Sequence, residues 1–246
     1  MELLVVMAII GILTSLLAPA VQQIREAARR TTCSNQLKQL ALGLHQFESS
    51  NRRFPAGAEL ETAHSWASRI LPFIEEGNIY DQLDFSSAWN SDGNLPWVKK
   101  NIESFLCPTS WKDWDGATDY CGISGSYINA KKGSRNGILF PAASDGGVRT
   151  AEITDGLSST IAIAEGVAVT EVNNGYWASG IHCFTHDDGG VNNRQGGLKE
   201  IASLHPSGAQ SAFCDGSVQF LTTQIAGEVI GALCTRNNSE VINETF

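Results

Sequence analysis

Basic residues are scarce in this sequence: 17 lysines and arginines stand against 26 aspartates and glutamates, which gives a net charge of −9. A surface with this charge repels phosphate backbones, so we expect no nucleic-acid partner. Phosphate-binding loops are missing too, because neither G-x-x-x-x-G-K-S/T nor G-x-G-x-x-G occurs in the chain. Nucleotide-driven chemistry is therefore not predicted.

No two cysteines have the C-x-x-C spacing of a zinc knuckle or a thioredoxin-type redox site. An even number of cysteines behind a membrane-directed N-terminus indicates disulfides formed in an oxidising compartment. Cys107 and Cys121 are the expected pair because they close a short, turn-rich loop. The alternative is that some cysteines, above all Cys33, are buried thiols. The six cysteines are Cys33, Cys107, Cys121, Cys183, Cys214 and Cys234.

Residues 3–21 form a run without a single charge. As a helix this run is roughly 28 Å long, which is close to the ~30 Å hydrocarbon thickness of a bilayer. A cleaved signal peptide is the rival interpretation, but no basic stretch precedes the run and it does not end in a loop. Apolar residues instead continue at three- and four-residue steps to residue 47. The pattern predicts one long helix that ends near residues 51–57.

Two residues of this helix are candidate assembly residues. Glu2 places a carboxylate at the edge of a membrane-length apolar run, where it must stay at the interface or find a partner. Pro19 lacks a backbone N–H and clashes with the preceding turn, so we expect it to kink or locally melt the helix.

Short apolar runs separated by turn signals follow the helix, which predicts a β-rich globular region. The strongest hairpin signal is Asp215-Gly216 between two apolar runs in residues 211–221. We expect an α+β fold in which a long helix (residues 1–53) packs on an antiparallel sheet of an extracytoplasmic domain (residues 54–246). Further strands are predicted at residues 126–130, 137–140, 161–169 and 176–181.

Two groups of polar residues are candidate sites. Asp113, Asp115 and Asp119 surround a glycine and resemble part of a calcium loop, although the terminal glutamate of an EF-hand is missing. Calcium is the possible cofactor here, and solvated turn residues are the alternative. His182, Cys183 and His186 are a weaker transition-metal candidate, because an oxidised Cys183 cannot bind zinc. His205 with Asp215 suggests acid–base chemistry, but no serine or cysteine stands in a nucleophile motif. The alternative is that Asp215 forms a turn and His205 hydrogen-bonds backbone before it. We expect no catalytic residue.

The run ELLVVMAIIGIL at residues 2–13 resembles the N-terminal motif of type IV pilins and type II secretion pseudopilins, and Pro19 falls where many of them carry a helix-kinking proline. The chain beyond it resembles the DUF1559 family. The segments that carry this second resemblance are AARR at 27–30, CSNQLKQL at 33–40, SW at 65–66, LPFIE at 71–75, FLCP at 105–108, ITDGLSST at 153–160 with Glu165, and an H-X9-DG signature made of His205, Asp215 and Gly216.

The pilin resemblance implies a structural role. In that class the glutamate corresponding to Glu2 pairs with the N-terminal amine of a neighbouring subunit, and the apolar helices form the filament core. The expected partners are therefore the membrane and further copies of this chain or related pilin-like subunits. The expected location is the cytoplasmic membrane with a periplasmic domain, or an extracellular filament.

Members of the pilin class carry a basic leader, a glycine and a methylated phenylalanine before the glutamate, whereas this sequence begins one residue before Glu2. We expect a leader upstream of Met1, lost by trimming or by a start codon placed too far downstream. Prepilin peptidase and its assembly machinery are then further partners. The alternative function is a membrane-tethered module that binds a solute, a glycan or calcium and does not polymerise.

Overall fold

The computed structural model describes residues 2–112, 114–126, 135–166, 175–180, 183–186, 189–192 and 201–239. Within these residues a long N-terminal helix is followed by short helices and a β-sheet. The α-helices are α1 (Glu2–Asn51), α2 (Trp66–Ile70), α3 (Gly77–Tyr80), α4 (Leu95–Val98) and α5 (Gly227–Leu233). The strands are β1 (Ala58–Glu59), β2 (Tyr120–Ser126), β3 (Pro141–Ala142), β4 (Ile161–Glu165), β5 (Cys183–His186), β6 (Gly208–Phe213) and β7 (Val218–Thr222).

Five strands form the main sheet in the order β5-β2-β4-β6-β7. Strands β2, β4, β6 and β7 pair antiparallel with their neighbours, and β5 adds to the edge of β2 in parallel. Strands β1 and β3 pair in parallel as a separate two-stranded sheet. A long helix with a mainly antiparallel sheet is an α+β architecture, so the predicted fold class is confirmed.

Helix α1 has two halves with different surroundings. Every residue from 9 to 25 is exposed. Farther along, one face is buried in the domain at three- and four-residue steps. The helix ends at Asn51, as predicted, and it continues through Pro19, so the local melting expected there is not observed. The buried apolar residues are Cys33, Leu37, Leu40, Ala41 and Leu44.

The main sheet is covered on both faces. On one side the buried half of α1 packs against β4, β6 and β7, and the rings of Trp66, Phe105 and Trp177 fill the space beside it. On the other side α5 covers a second group of buried residues that includes Cys121. Successive residues of a strand face opposite sides of a sheet. Tyr120 therefore belongs to the first layer and Cys121 to the second.

Buried polar contacts tie α1 to the domain. The hydroxyl of Tyr120 donates a hydrogen bond of 2.8 Å to Gln36 Oε1, and Gln36 Nε2 donates to the carbonyl oxygen of Glu103 at 2.9 Å. Burial, with the nearby carboxylates of Glu165 and Asp119, raises the pKa of Tyr120 well above its ordinary value. The phenol therefore stays protonated and keeps donating to the helix.

Gly147 lies where two segments of the chain pass each other closely. The backbone N–H of Phe54 donates to the carbonyl oxygen of Val148 at 2.8 Å, and a β-carbon on Gly147 would collide with the carbonyl oxygen of Phe54. We expect Gly147→Ala to lower the free energy of unfolding by about 1–3 kcal/mol, because backbone must move to admit the methyl group. Thermal unfolding followed by circular dichroism measures this.

The matched control is Gly93→Ala, since no described atom lies within 4 Å of the added β-carbon. This control is expected to change the free energy of unfolding by no more than about 0.5 kcal/mol. Equal stability of the two variants would contradict the close approach at Gly147.

Candidate functional site

The Asp215-Gly216 pair forms the turn of the β6–β7 hairpin, as predicted. Asp215 Oδ1 accepts a hydrogen bond of 2.8 Å from the N–H of Ser217, and Gly216 has a φ of 83°, which favours glycine. A β-carbon on Gly216 would lie 3.4 Å from His45 Nε2. The turn therefore sits close against helix α1.

His205 lies at the opposite end of β6 and is only 2% exposed. The six residues of β6 span roughly 20 Å, so His205 and Asp215 do not form an acid–base pair. The expected hydrogen bond between the His205 side chain and the backbone is not found either. The backbone N–H of His205 donates to Ser203 Oγ at 3.0 Å, but the imidazole contacts carboxylates and sulfur atoms rather than backbone.

The imidazole of His205 contacts Glu26, Glu165 and the disulfide between Cys33 and Cys107. We call these residues together with His205 the His205 cluster. Nδ1 lies 2.6 Å from Glu26 Oε1. Nε2 lies 3.3 Å from Glu165 Oε1, 3.3 Å from Cys33 Sγ and 3.4 Å from Cys107 Sγ. Burial disfavours the imidazolium, but the carboxylates of Glu165 and Glu26 outweigh burial and raise the pKa of His205.

The disulfide joins Cys33 on α1 to Cys107, with a Cα–Cα distance of 5.4 Å. The predicted Cys107–Cys121 bond is therefore wrong. Cys121 points from β2 into the layer under α5, whereas Cys107 lies in the layer under α1. Cys107 and Cys121 are close in sequence, but strand β2 lies between their side chains.

Among the side chains that the structure describes, three more cysteines are buried away from this bond. Burial raises the pKa of Cys121 to about 12 and raises the pKa of Cys214 and of Cys234 above the ordinary thiol value. Thiols that stay protonated are poor nucleophiles and poor metal ligands. These residues therefore belong to the core rather than to the site.

The aspartates of the expected calcium loop face different surroundings. Asp115 is exposed and accepts from Asn101 Nδ2 at 3.3 Å. Asp119 is fully buried, where Oδ1 pairs with Lys112 Nζ at 3.0 Å and Oδ2 accepts from the N–H of Cys107 at 2.8 Å. Asp113 lies outside the described residues. The described part of this loop does not favour a calcium site, because the charge of Asp119 is already neutralised by Lys112.

Sequence reasoning missed the role of the two glutamates in the cluster. Glu165 ends the apolar strand β4 with a fully buried carboxylate, and a charged residue inside such a run was the available signal. Glu26 gave no such signal, because it stands beside arginines and forms ordinary helix ion pairs with Arg29 and Arg30. The predicted assembly residues Glu2 and Pro19 lie in the other half of α1.

Comparison with known proteins places most of the chain in one family. The profile of the family described as "Protein of unknown function (DUF1559)" matches residues 22–228. The match begins directly after the apolar run and contains every member of the His205 cluster. No curated protein and no solved structure matches the chain. The chain belongs to the DUF1559 family.

Proposed function

We propose that this protein is a pilin-like structural subunit, anchored by its N-terminal helix and assembling into a filament or a secretion pseudopilus. One observation carries the proposal: the apolar first half of α1 is exposed, and it continues without interruption into a second half built into the domain. The domain is thus carried on a helical rod whose outer half needs a partner.

That partner must be apolar. Of the described residues, α1 is the one helix long and apolar enough to cross a membrane, and none of its apolar window is buried in the domain. Leu3 is 77% exposed and Leu16 67%. Burying one such side chain gains about 1.5–3 kcal/mol, so lipid or the helices of other subunits are strongly preferred to water.

The Cys33–Cys107 disulfide supports a location outside the cytoplasm, since such bonds persist in oxidising compartments. In this arrangement α1 anchors the chain in the cytoplasmic membrane before assembly, and the domain faces the periplasm. The resemblance to pilins assigns Glu2, the first residue of α1, a role in setting the register between subunits. Pro19 removes one backbone hydrogen bond and eases bending of the rod.

The test is Glu2→Ala in the full chain, expressed with the native upstream sequence and assembly genes. We expect assembled filaments or pseudopili in the sheared fraction to fall to background while the membrane fraction keeps its normal amount of protein. The matched control is Glu61→Ala, because Glu61 is an exposed carboxylate on the domain. The control should assemble like the unmodified chain.

If the unmodified chain never leaves the membrane fraction under conditions that assemble other pilins, the proposal fails. The protein is then a tethered binding module for a solute, a glycan or calcium. Equal assembly of Glu2→Ala and Glu61→Ala would remove Glu2 from the assembly mechanism without affecting membrane anchoring.

A further inference from the structure

The His205 cluster brings together four metal-binding side chains from four separate parts of the chain. These are Cys33 on α1, Cys107 before β2, Glu165 at the end of β4 and His205 before β6. All four are buried, and one donor atom from each lies within 4.8 Å of the others. We infer that, when the disulfide is reduced, these four side chains bind one zinc ion.

The donor atoms already stand at distances that suit zinc. Tetrahedral zinc with bonds of about 2.0–2.3 Å places neighbouring ligand atoms about 3.3–3.8 Å apart. His205 Nε2 lies 3.3 Å from Cys33 Sγ, 3.4 Å from Cys107 Sγ and 3.3 Å from Glu165 Oε1. The remaining donor pairs lie within 4.8 Å of one another, and after reduction the two sulfur atoms must separate to about 3.7 Å.

Glu26 supplies the outer contact that metal-binding histidines usually have. Its Oε1 lies 2.6 Å from His205 Nδ1, so Nδ1 carries the proton and the lone pair of a neutral imidazole is on Nε2. That lone pair faces the two sulfur atoms and Glu165. Arg29 and Arg30 pair with Glu26 and hold its carboxylate in place.

The carboxylate of Glu165 is a second, independent indication that a cation binds here. Its Oε2 accepts a hydrogen bond of 2.7 Å from the N–H of Gln210, but Oε1 is fully buried and has no hydrogen-bond partner among the described residues. Its neighbour at 3.3 Å is His205 Nε2, which lacks hydrogen-bond geometry there. A buried carboxylate requires a positive charge nearby. Protonated His205 supplies this charge in the oxidised chain, and zinc at the centre of the cluster supplies it in the reduced chain when His205 binds as the neutral imidazole.

A dithiol can reduce the Cys33–Cys107 disulfide before zinc binds. The dithiol transfers two electrons and two protons to the Cys33–Cys107 bond, which gives two thiols, and the dithiol closes to its own disulfide. Zinc then displaces both thiol protons, while His205 binds as the neutral imidazole and Glu165 as the carboxylate. A groove of about 520 Å³ lined by Glu26 and Pro206 lies beside the cluster.

The experiment titrates the full chain in detergent with Co²⁺ and Zn²⁺ after reduction by a phosphine, which is removed without air. We expect one Co²⁺ per reduced chain with the thiolate-to-cobalt charge-transfer absorption, displaced by one Zn²⁺. The oxidised chain should give no such absorption. A reduced chain that takes up no cobalt, or an oxidised chain with the same spectrum, would overturn the inference.

Variants assign the ligands. Glu165→Gln keeps the size of the side chain, and Glu26→Gln removes the negative charge of the carboxylate that contacts His205; each should weaken zinc binding, the latter about 10–100-fold. The double variant Cys33→Ser/Cys107→Ser should lose the charge-transfer absorption. Cys214→Ser is the matched control and should keep it, because Cys214 is a buried thiol outside the cluster. Absorption that survives in the double variant, or that disappears in the control, contradicts the assignment.

Discussion

Breaking the Cys33–Cys107 disulfide is expected to lower the free energy of unfolding by about 4 kcal/mol. The bond joins residues that are 74 positions apart, and closing a loop of this length in the unfolded chain has an entropic value of about 4 kcal/mol. For a chain of 246 residues this corresponds to a loss of roughly 8–16 °C in Tm. Thermal unfolding of the full chain in detergent, with and without a phosphine reductant, measures the difference.

The controls separate this bond from the other cysteines. The double variant Cys33→Ser/Cys107→Ser should unfold at the same temperature with and without reductant. Cys214→Ser should keep the full dependence on reductant, whatever its own stability. A reductant-independent Tm in the unmodified chain, or a peptide map that joins Cys107 to Cys121, would show that the bond has been assigned wrongly.

The parts of the fold that were predicted correctly depend on local patterns. The uncharged run and the regular apolar spacing that follows it predicted α1 to its last turn, because a helix repeats every 3.6 residues whatever it packs against. Asp215-Gly216 predicted the β6–β7 hairpin because the turn itself requires a residue with positive φ.

The parts that were missed depend on contacts between distant segments. Strand β2 reads YCGISGS, which has little of the β-branched and aromatic content that marks a strand. It is a strand because it pairs with β5 on one side and β4 on the other. Residues 137–139 form bends, and residue 140 belongs to no element, so the strand predicted at residues 137–140 is not present. The His205 cluster draws on four segments up to 179 positions apart, and no local pattern reports such a meeting.

The spacing of the H-X9-DG signature follows from two contacts with one helix. His205 docks beside Glu26 and Cys33, and the turn at Gly216 docks beside His45. Cys33 and His45 are twelve residues apart, or about 18 Å along α1, and the intervening strand β6 spans roughly 20 Å. The signature thus fixes strand β6 along the helix at both ends, and nine intervening residues suit this distance.

Removing the charge of Lys112 is expected to cost about 3–5 kcal/mol of unfolding free energy. The side chains of Lys112 and Asp119 are both 0% exposed and pair at 3.0 Å. Lys112→Met keeps most of the volume but leaves the Asp119 carboxylate buried without its cation, which is strongly unfavourable. The substitution should also affect the His205 cluster, because Asp119 Oδ2 accepts a hydrogen bond of 2.8 Å from the N–H of Cys107. Thermal unfolding in detergent measures it.

Two variants decide whether the charge or the packing is responsible. Lys112→Met/Asp119→Asn should regain most of the lost stability, since a neutral amide oxygen still accepts from Cys107 and no charge is left unpaired in the interior. Lys99→Met, at an exposed lysine, should change the free energy of unfolding by no more than about 0.5 kcal/mol. If Lys112→Met costs no more than Lys99→Met, the pair does not stabilise the fold. If the double variant is as unstable as Lys112→Met, the lost packing of the lysine stem is the cause, because the unpaired carboxylate is gone.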